Sequence, residues 1–555
     1  MYLYTPHNHR QTTVLLLQKH FITYMSSTLS ESAYFGSPPK VACVFLAQFD
    51  VKLGYKLVWS SLANDSEISG IEASALPSGI HEYSATTVYL THKIRGRLHY
   101  GFARFRQVDR NPESNHNAAA TDRLLVKMYS LGVLVEPLKG EFWPPLQYLT
   151  LGWEYTAAVD STLVDFLNDE DLSLLPRLAE LLLGSTLSVP KTPPSYDNHP
   201  LSKLPAVLSL VGPLIFPLYK AALLRKRILI FGSSSSQASN ELLSDYSTTR
   251  DPGTAGALAY IISLLSVVPR DVHLDMSTQT VSKFLQPLYT KGLSDLASDF
   301  YNEYPGYIAT TGDEIMKMQT MVYDIALLLP LGDCSSCHMN SSAAQNVLMK
   351  STYNDYSKFL KLYLRLPQGS LGGTAITDDL ASIKTSSSIL SALGLGYFAE
   401  SKEKLLWEPQ WWLAEATSPM SWREYVWLAF AWFASAGATN REAETIDLTE
   451  TNLRPIEEDV KNLMVRLTEI VGQFHRLTKK WFYIVDEIVS EMIEYVQSDA
   501  HGLLVLELTL QDVVDMELDP YSLQDLEFIR EFVLTYWGDS VSDVDIGLGV
   551  NGICC

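Results

Sequence analysis

Cysteine is scarce in this chain, with five in 555 residues. An odd, scattered set builds no disulfide framework, and no secretory signal precedes it, so the expected compartment is the cytosol. Cations are outnumbered, with 42 Lys and Arg against 63 Asp and Glu and a net charge of −21. From Ser498 to Cys555 twelve acidic residues meet only Arg530, a net of −11. Such a surface excludes the basic stripe that nucleic acid needs and a polybasic membrane anchor at this end. Long apolar runs are missing as well: a membrane span takes roughly 18–20 residues, and Tyr425–Ala436 offers about a dozen. Ala206–Tyr219 is interrupted by Pro213 and Pro217, so both segments read as buried helices.

Catalytic signatures are equally absent. There is no Gly-x-Ser-x-Gly elbow, no His-Glu-x-x-His and no kinase set. Gly232 and the four serines after it lack the Gly-Lys-Ser/Thr ending that makes a phosphate cradle. Cys334-Ser-Ser-Cys337-His338 matches a haem-attachment pattern, half a zinc site or a redox pair. The pattern is short and no second pair lies nearby, so it reads as a loop. No cofactor, no metal and no bond-making chemistry are expected.

What the chain holds is enough apolar sequence for about three or four lobes. Met1–Ser30 has no acidic residue, only Arg10 and Lys19 as cations, and a short apolar core, Val14–Leu17. It reads as an unstructured extension reaching residue 39, or a start misassigned upstream of Met25, with a transit peptide as the remaining alternative. Over 40–140, strands are expected at Val41–Phe49 and Tyr55–Ser60, joined as a hairpin through Asp50–Gly54. Further strands are expected at Thr86–Leu90, His99–Arg106 and Leu124–Val135, with a short helix within Asp65–Leu76 and a polar loop at Arg110–Ala119. Residues 141–200 hold a helical stretch, Trp143–Leu183, and a proline-rich linker, Val189–Pro200.

The most informative stretch is Tyr219–Asn240, YKAALLRKRILIFGSSSSQASN. An apolar helix ends in Arg225, Lys226 and Arg227, where a helix C-terminus favours cations. Ile228–Phe231 then reads as a strand covered on both faces. Ser233–Gly256 is rich in turn formers, so exposed loops are expected there. Tyr304–Pro330 repeats the logic. Tyr307–Ala309 reads as a strand, Thr310 or Thr311 as an N-cap, and Asp313 and Glu314 as the first turn of a helix. The face of that helix would be Ile315, Met318, Val322 and Ile325.

Beyond residue 336 the pattern is helical. Tyr353, Tyr356, Phe359, Leu360, Tyr363 and Leu364 share one face. Gln368–Ser388 reads as a flexible insertion, Arg441–Asp459 as an acidic linker, and Trp407–Phe433 holds six tryptophans. Val460, Leu463, Leu467, Ile470, Phe474, Leu477, Trp481, Ile484 and Ile488 alternate spacings of three and four over about four heptads. Phe474 and Trp481 suit a two-stranded seam poorly, so this helix is expected to pack on its own chain.

These segments resemble the DENN module. In that family a helix ending in Leu-Leu-Arg-Lys enters a strand of the Ile-Leu-Ile-Phe type, and a later strand reaches a Thr-Thr pair. Within it the chain is similar to the LCHN group, and a fungal-type member is expected. The tail agrees: Met516–Gly549 reads as a helix end, a break at Leu518-Asp519-Pro520, a second helix and a last strand, before Cys554 and Cys555. The resemblance covers most of Val41–Cys555 and is tightest at Ala221–Phe231, Gly306–Leu329 and the tail. It is loose across 368–459, taken as an insertion. It implies an α/β fold: a longin-like antiparallel lobe (40–140), a three-layer DENN core (201–335) and a helical C-terminal region (336–555).

DENN proteins act as guanine-nucleotide exchange factors for Rab-type small GTPases, so that function in membrane trafficking is what the resemblance implies. The contacts expected on that basis are loops leaving the central strands: Ser234, Gln237 and Asn240, and Thr310, Thr311 and Asp313. Arg225–Arg227 are weighed between a patch for the GTPase and a structural helix end, the latter favoured. Cys554-Cys555 fits prenylation, reversible acylation or structural thiols, with prenylation disfavoured by the acidic flank. Two further readings stand beside exchange: a scaffold that binds a GTPase without releasing nucleotide, and peripheral contact with a vesicle or lipid droplet through Trp407–Phe433. The Rab, the organelle and the oligomeric state are not encoded in any recognisable motif.

Overall fold

The computed structural model describes residues 39–77, 83–109, 126–137, 145–184, 196–232, 251–275, 281–297, 303–330, 336–342, 347–366, 409–420, 422, 426, 460–496 and 504–547. The first strands alternate apolar side chains between two cores, as a period of two requires. In β1 (Val41–Asp50) Cys43, Phe45 and Ala47 join one core, and Val44 and Leu46 the other. β2 (Gly54–Ser60) pairs with it as the expected hairpin. A short helix, α1 (Ile71–Ala75), covers the first core. β3 (Ala85–Ile94), β4 (Arg97–Asp109) and β5 (Val126–Val135) complete an antiparallel sheet in the order β3-β4-β5-β1-β2. α2 (Thr156–Asp169) and α3 (Leu174–Leu183) cover its other face through Val159, Leu163, Phe166 and Leu178.

The second lobe follows with α4 (Leu204–Val211), α5 (Ile215–Leu223), β6 (Ile228–Phe231), α6 (Pro252–Leu265) and α7 (Arg270–Asp275). The run Pro200–Leu223 is long and apolar enough to cross a membrane, yet 83% of its window is buried, as for a core helix pair. β6 is buried on both faces, as its continuous apolar sequence requires. Burying each such side chain stabilises by roughly 1.5–3 kcal/mol. β7 (Gln286–Thr290), β8 (Tyr307–Thr311) and β9 (Ile325–Leu328) are all parallel with β6 in the order β9-β6-β8-β7; β10 (His338–Ser341) adds antiparallel to β9, and β11 (Val347–Met349) antiparallel to β10. The two lobes form one eleven-stranded sheet, joined where Leu90 of β3 faces Tyr289 of β7. Side chains reinforce that single pair. Thr91 donates to the Leu288 carbonyl at 2.8 Å and Thr290 to the Tyr89 carbonyl at 3.0 Å.

Several expectations change here. Residues 252–256 are not exposed loop but the buried start of α6. Their small side chains permit it: a Cβ at Gly256 would stand 2.5 Å from the Tyr89 ring. The segment after residue 336 is not wholly helical, since β10 and β11 precede α8 (Tyr353–Tyr363). Tyr356, Phe359 and Tyr363 are buried on α8 as read from their spacing, while Leu364 lies past the helix and is exposed. The helix expected after Thr311 is replaced by a single 3-10 turn, Glu314–Met318. The chain there must return from the end of β8 to the start of β9, and Ile325, assigned to a helical face, is spent in β9.

In the C-terminal region come α9 (Gln410–Ala414), α10 (Val460–Val496), β12 (Leu504–Thr509), α11 (Leu510–Asp515), α12 (Leu523–Trp537) and β13 (Val541–Gly547). The heptad pattern belongs to α10, and its seam packs on its own chain. Leu467, Ile470, Phe474 and Trp481 are buried, the Tyr219 hydroxyl of α5 donates to the Phe474 carbonyl at 2.9 Å, and Phe482 stacks on Phe532 and Tyr536 of α12. The helix, break, helix and strand read from the tail stand as α11, residues 516–522, α12 and β13. β12, parallel to β13, was not anticipated. The insertion (Gln368–Ser388), the acidic linker (Arg441–Asp459), the loop Arg110–Ala119 and the N-terminal extension lie outside the described residues.

Candidate functional site

Because β6, β7, β8 and β9 run parallel, their carboxyl ends open at one edge of the sheet, where open α/β sheets commonly bind their ligands. Backbone bonds continue the ladder past the strand ends. Gly232 N donates to the Thr311 carbonyl at 2.9 Å, Lys291 N to Thr310 at 2.9 Å and Leu329 N to Phe231 at 3.1 Å. Asp313 ties the loops together: its carboxylate accepts from Leu293 N at 2.9 Å and its own N–H donates to the Thr311 hydroxyl at 3.1 Å. Nearby Lys291 is buried, which lowers its pKa, an effect the Asp295 carboxylate 3.4 Å away opposes.

Thr310 and Thr311 are themselves buried, as the last residues of β8 rather than as N-caps, so their side chains face the protein interior. Asp313 stands at the start of the 3-10 turn, but its carboxylate is used on Leu293 and not on the turn. The structure therefore brings Asp313 to the surface at the strand ends and withdraws the two threonines from it. Ser234, Gln237 and Asn240, and Cys554 and Cys555, lie outside the described residues.

The three cations before β6 are consumed within the fold. Arg225 is buried in a left-handed conformation (φ 55°), and its guanidinium donates to the carbonyls of Ala222, Ser266 and Ser282. Lys226 pairs with Glu531 of α12 at 2.7 Å, and Arg227 with Asp324 at 2.7 Å. A structural role for this trio follows, which is the reading its place at a helix end favoured.

The sheet face opposite α5 and α6 carries a smaller core, Leu229, Phe231, Leu288, Tyr307, Ala309, Met316, Tyr323 and Ala326. Among the described residues its cover is made of the turns Leu293–Ala297 and Glu314–Met318 and the segment to 324. Met316 points inward, whereas Ile315, Met318 and Met321 are exposed at 56%, 83% and 83%, with Leu293 beside Asp313 also exposed. Flexible methionines on a surface suit adaptable contact with a partner. Sequence reasoning placed Ile315 and Met318 on a buried face; the run Met316-Lys-Met318-Gln-Thr-Met321 was the available signal for an exposed one.

Across the lobe junction the β1–β2 hairpin comes near this edge. Burial chiefly raises the Tyr55 phenol pKa, and the Asp313 charge adds to the rise. A separate cleft of about 240 Å³ opens between the lobes, lined by Thr86, Thr87, Arg104, His199, Lys203 and Asp251 among others. Its walls satisfy one another. Arg104 donates to Asp160 at 3.0 Å, Thr86 bonds Asp251, and His199 uses one ring nitrogen on Leu201 N and the other on the Leu146 carbonyl. Among the described residues no group of three or more His, Cys, Asp or Glu is placed to hold a metal. Cys337 is buried with its thiol against the Leu210 carbonyl at 3.1 Å, and Cys334 lies outside the described residues.

Comparison with known proteins gives two family matches. The sequence profile of DENN domain-containing protein 11 matches residues 44–337, more than half of the chain, and a domain of unknown function matches residues 417–554. Among curated relatives, the uncharacterized protein ANR2 of Saccharomyces cerevisiae is 24% identical over 551 residues, covering 94% of this chain and 95% of its own. The uncharacterized protein C119.16c of Schizosaccharomyces pombe is 26% identical over 397 residues, covering 66% of this chain and 83% of its own.

Proposed function

Because the chain belongs to the DENN domain-containing protein 11 family, we propose that it is a guanine-nucleotide exchange factor for a Rab-type small GTPase. Exchange requires no acid, base or metal from the protein that drives it. A GTPase holding nucleotide at nanomolar affinity does so with about 12 kcal/mol. A factor that binds the emptied GTPase better than the loaded one lowers that affinity by the same coupling energy, since linkage is reciprocal. The work takes a broad, stiff surface of about 1,600 Å² in total.

The observation that carries this reading is the outer layer at the strand ends of the DENN core, where Leu293, Ile315, Met318 and Met321 present exposed apolar side chains beside the Asp313 carboxylate. The common sheet of the two lobes supports it, because a partner spanning them meets one rigid body. The scaffold reading loses ground on two points. The seam of α10 is occupied by its own chain, and Trp411 and Trp412 are buried.

The test is release of a fluorescent nucleotide from a Rab panel. The full chain accelerates release from one member, and Ile315→Asp or Met318→Asp slows it about tenfold or more, as a hot-spot residue does. Binding without acceleration selects the scaffold. A parent chain that neither binds nor accelerates any member removes the GTPase reading.

A further inference from the structure

The tip of the β1–β2 hairpin has a different chemistry from the rest of this acidic molecule. Val51, Leu53 and Tyr55 are exposed at 45%, 74% and 47%. Lys52 and Lys56 alternate with them and are exposed. In a chain of net charge −21 the finger is a local excess of positive charge around an apolar apex.

We propose that this hairpin tip is a membrane-contact finger, whose apolar apex enters the headgroup boundary of an anionic bilayer while its lysines meet the lipid phosphates. Three observations favour a lipid surface over a protein groove. Two N–H groups at the tip are already satisfied within the turn, since the Asp50 carboxylate accepts from Lys52 N at 2.8 Å and Leu53 N at 3.0 Å. A segment entering lipid must be satisfied in this way, because no water is there to do it. The geometry is also set in advance: Gly54 takes φ +79° at the turn and Phe49 holds Tyr55 edge-to-face at 5.5 Å. Finally, a single narrow tip falls far short of the roughly 800 Å² per partner of a stable protein complex. An apolar apex combined with flanking lysines is enough for reversible binding to anionic lipid. Asp50 stays ionised at the base, its pKa lowered by the N–H groups of Lys52 and Leu53. The proposal does not depend on the GTPase reading.

The experiment is flotation of the full-length protein with vesicles of phosphatidylcholine, with and without a minor share of phosphatidylserine. The parent floats with the anionic vesicles and far less with the neutral ones. Leu53→Asp lowers the bound fraction about tenfold, by loss of apolar insertion. Lys52→Gln and Lys56→Gln lower it about fivefold each, on anionic vesicles only. Tryptophan at the apex (Leu53→Trp) gives an emission blue-shift on adding anionic vesicles. These positions are exposed, and unchanged melting temperatures confirm intact folding. A parent that does not float overturns the proposal, as does a Leu53→Asp variant that floats like the parent. So does unchanged flotation combined with lost GTPase binding, which would make the finger a protein contact.

Discussion

Replacing Lys220 by methionine would leave two buried carboxylates without the ammonium between them. Lys220 Nζ lies 2.5 Å from Asp355 and 2.6 Å from Asp525, and all three residues are buried. Burial alone would lower the amine's pKa; the charges of Asp355 and then Asp525 reverse that and hold it above its usual value. Lys220→Met is therefore expected to cost about 3–5 kcal/mol in denaturant unfolding, the scale for breaking a buried pair from one side. Adding Asp355→Asn and Asp525→Asn should restore part of the loss. His199 contributes to the pH dependence, as do His92 and His475, whose pKa values burial also lowers. Burial lowers the His199 pKa to about 4, from 6.5 in the unfolded chain. The folded state thus binds fewer protons, so stability is full above pH 6.5, falls as pH drops toward 4, and levels off below. The span corresponds to about 3 kcal/mol. In His199→Gln, which can still accept from Leu201 N and donate to Leu146, the melting temperature should fall less over that range.

Among the elements, the passage from α5 to β6 is closely fitted. Gly306, just before β8, lies against the Arg225 carbonyl so closely that a Cβ would stand 2.1 Å from the oxygen. Gly306→Ala must move backbone rather than a flexible side chain, and a loss of about 1–3 kcal/mol is expected on thermal unfolding. The elements that could be read from the residues alone were those whose pattern was unambiguous. Ile228–Phe231 is apolar throughout and can only be a doubly covered strand, and the long repeat from Val460 to Ile488 can only be a helix. Thr310-Thr311-Gly312-Asp313 misled because a β-strand end followed by a turn looks locally like an N-cap. The distinction lay in the distance the chain had to cover to reach β9, a tertiary constraint. β10 and β11 are only four and three residues long, too short for a period to show, and the partner that defines β12 lies beyond α12. Asp313 could be placed at the strand ends because polar residues there have a local signature. The exposure of Ile315 and Met318 was hidden by a spacing that imitates a buried face.

At the scale of the molecule, the boundary between the DENN core and the C-terminal region is a boundary of sequence only. Trp481, Phe528 and Phe532 belong to the same apolar cluster as Tyr219, Phe216 and Leu264. A fragment ending at residue 342 would expose the faces of α5 and α6 that α10 and α12 cover. It is expected to bind hydrophobic dye and aggregate, while the chain to residue 555 stays monodisperse in gel filtration. A soluble, cooperatively melting fragment would contradict the shared core.

The ammonium of Lys220 has a further meaning for the newborn chain. Its second counter-ion, Asp525, is translated 305 residues later, an interval of about 15–60 s at ordinary elongation rates. Asp355 follows after 135 residues, so for the rest of that interval the nascent helix holds its cation with only one of its two carboxylates. The ribosome-bound intermediate must keep that end in water or on a chaperone, and the last thirty residues act as the latch that lets it close.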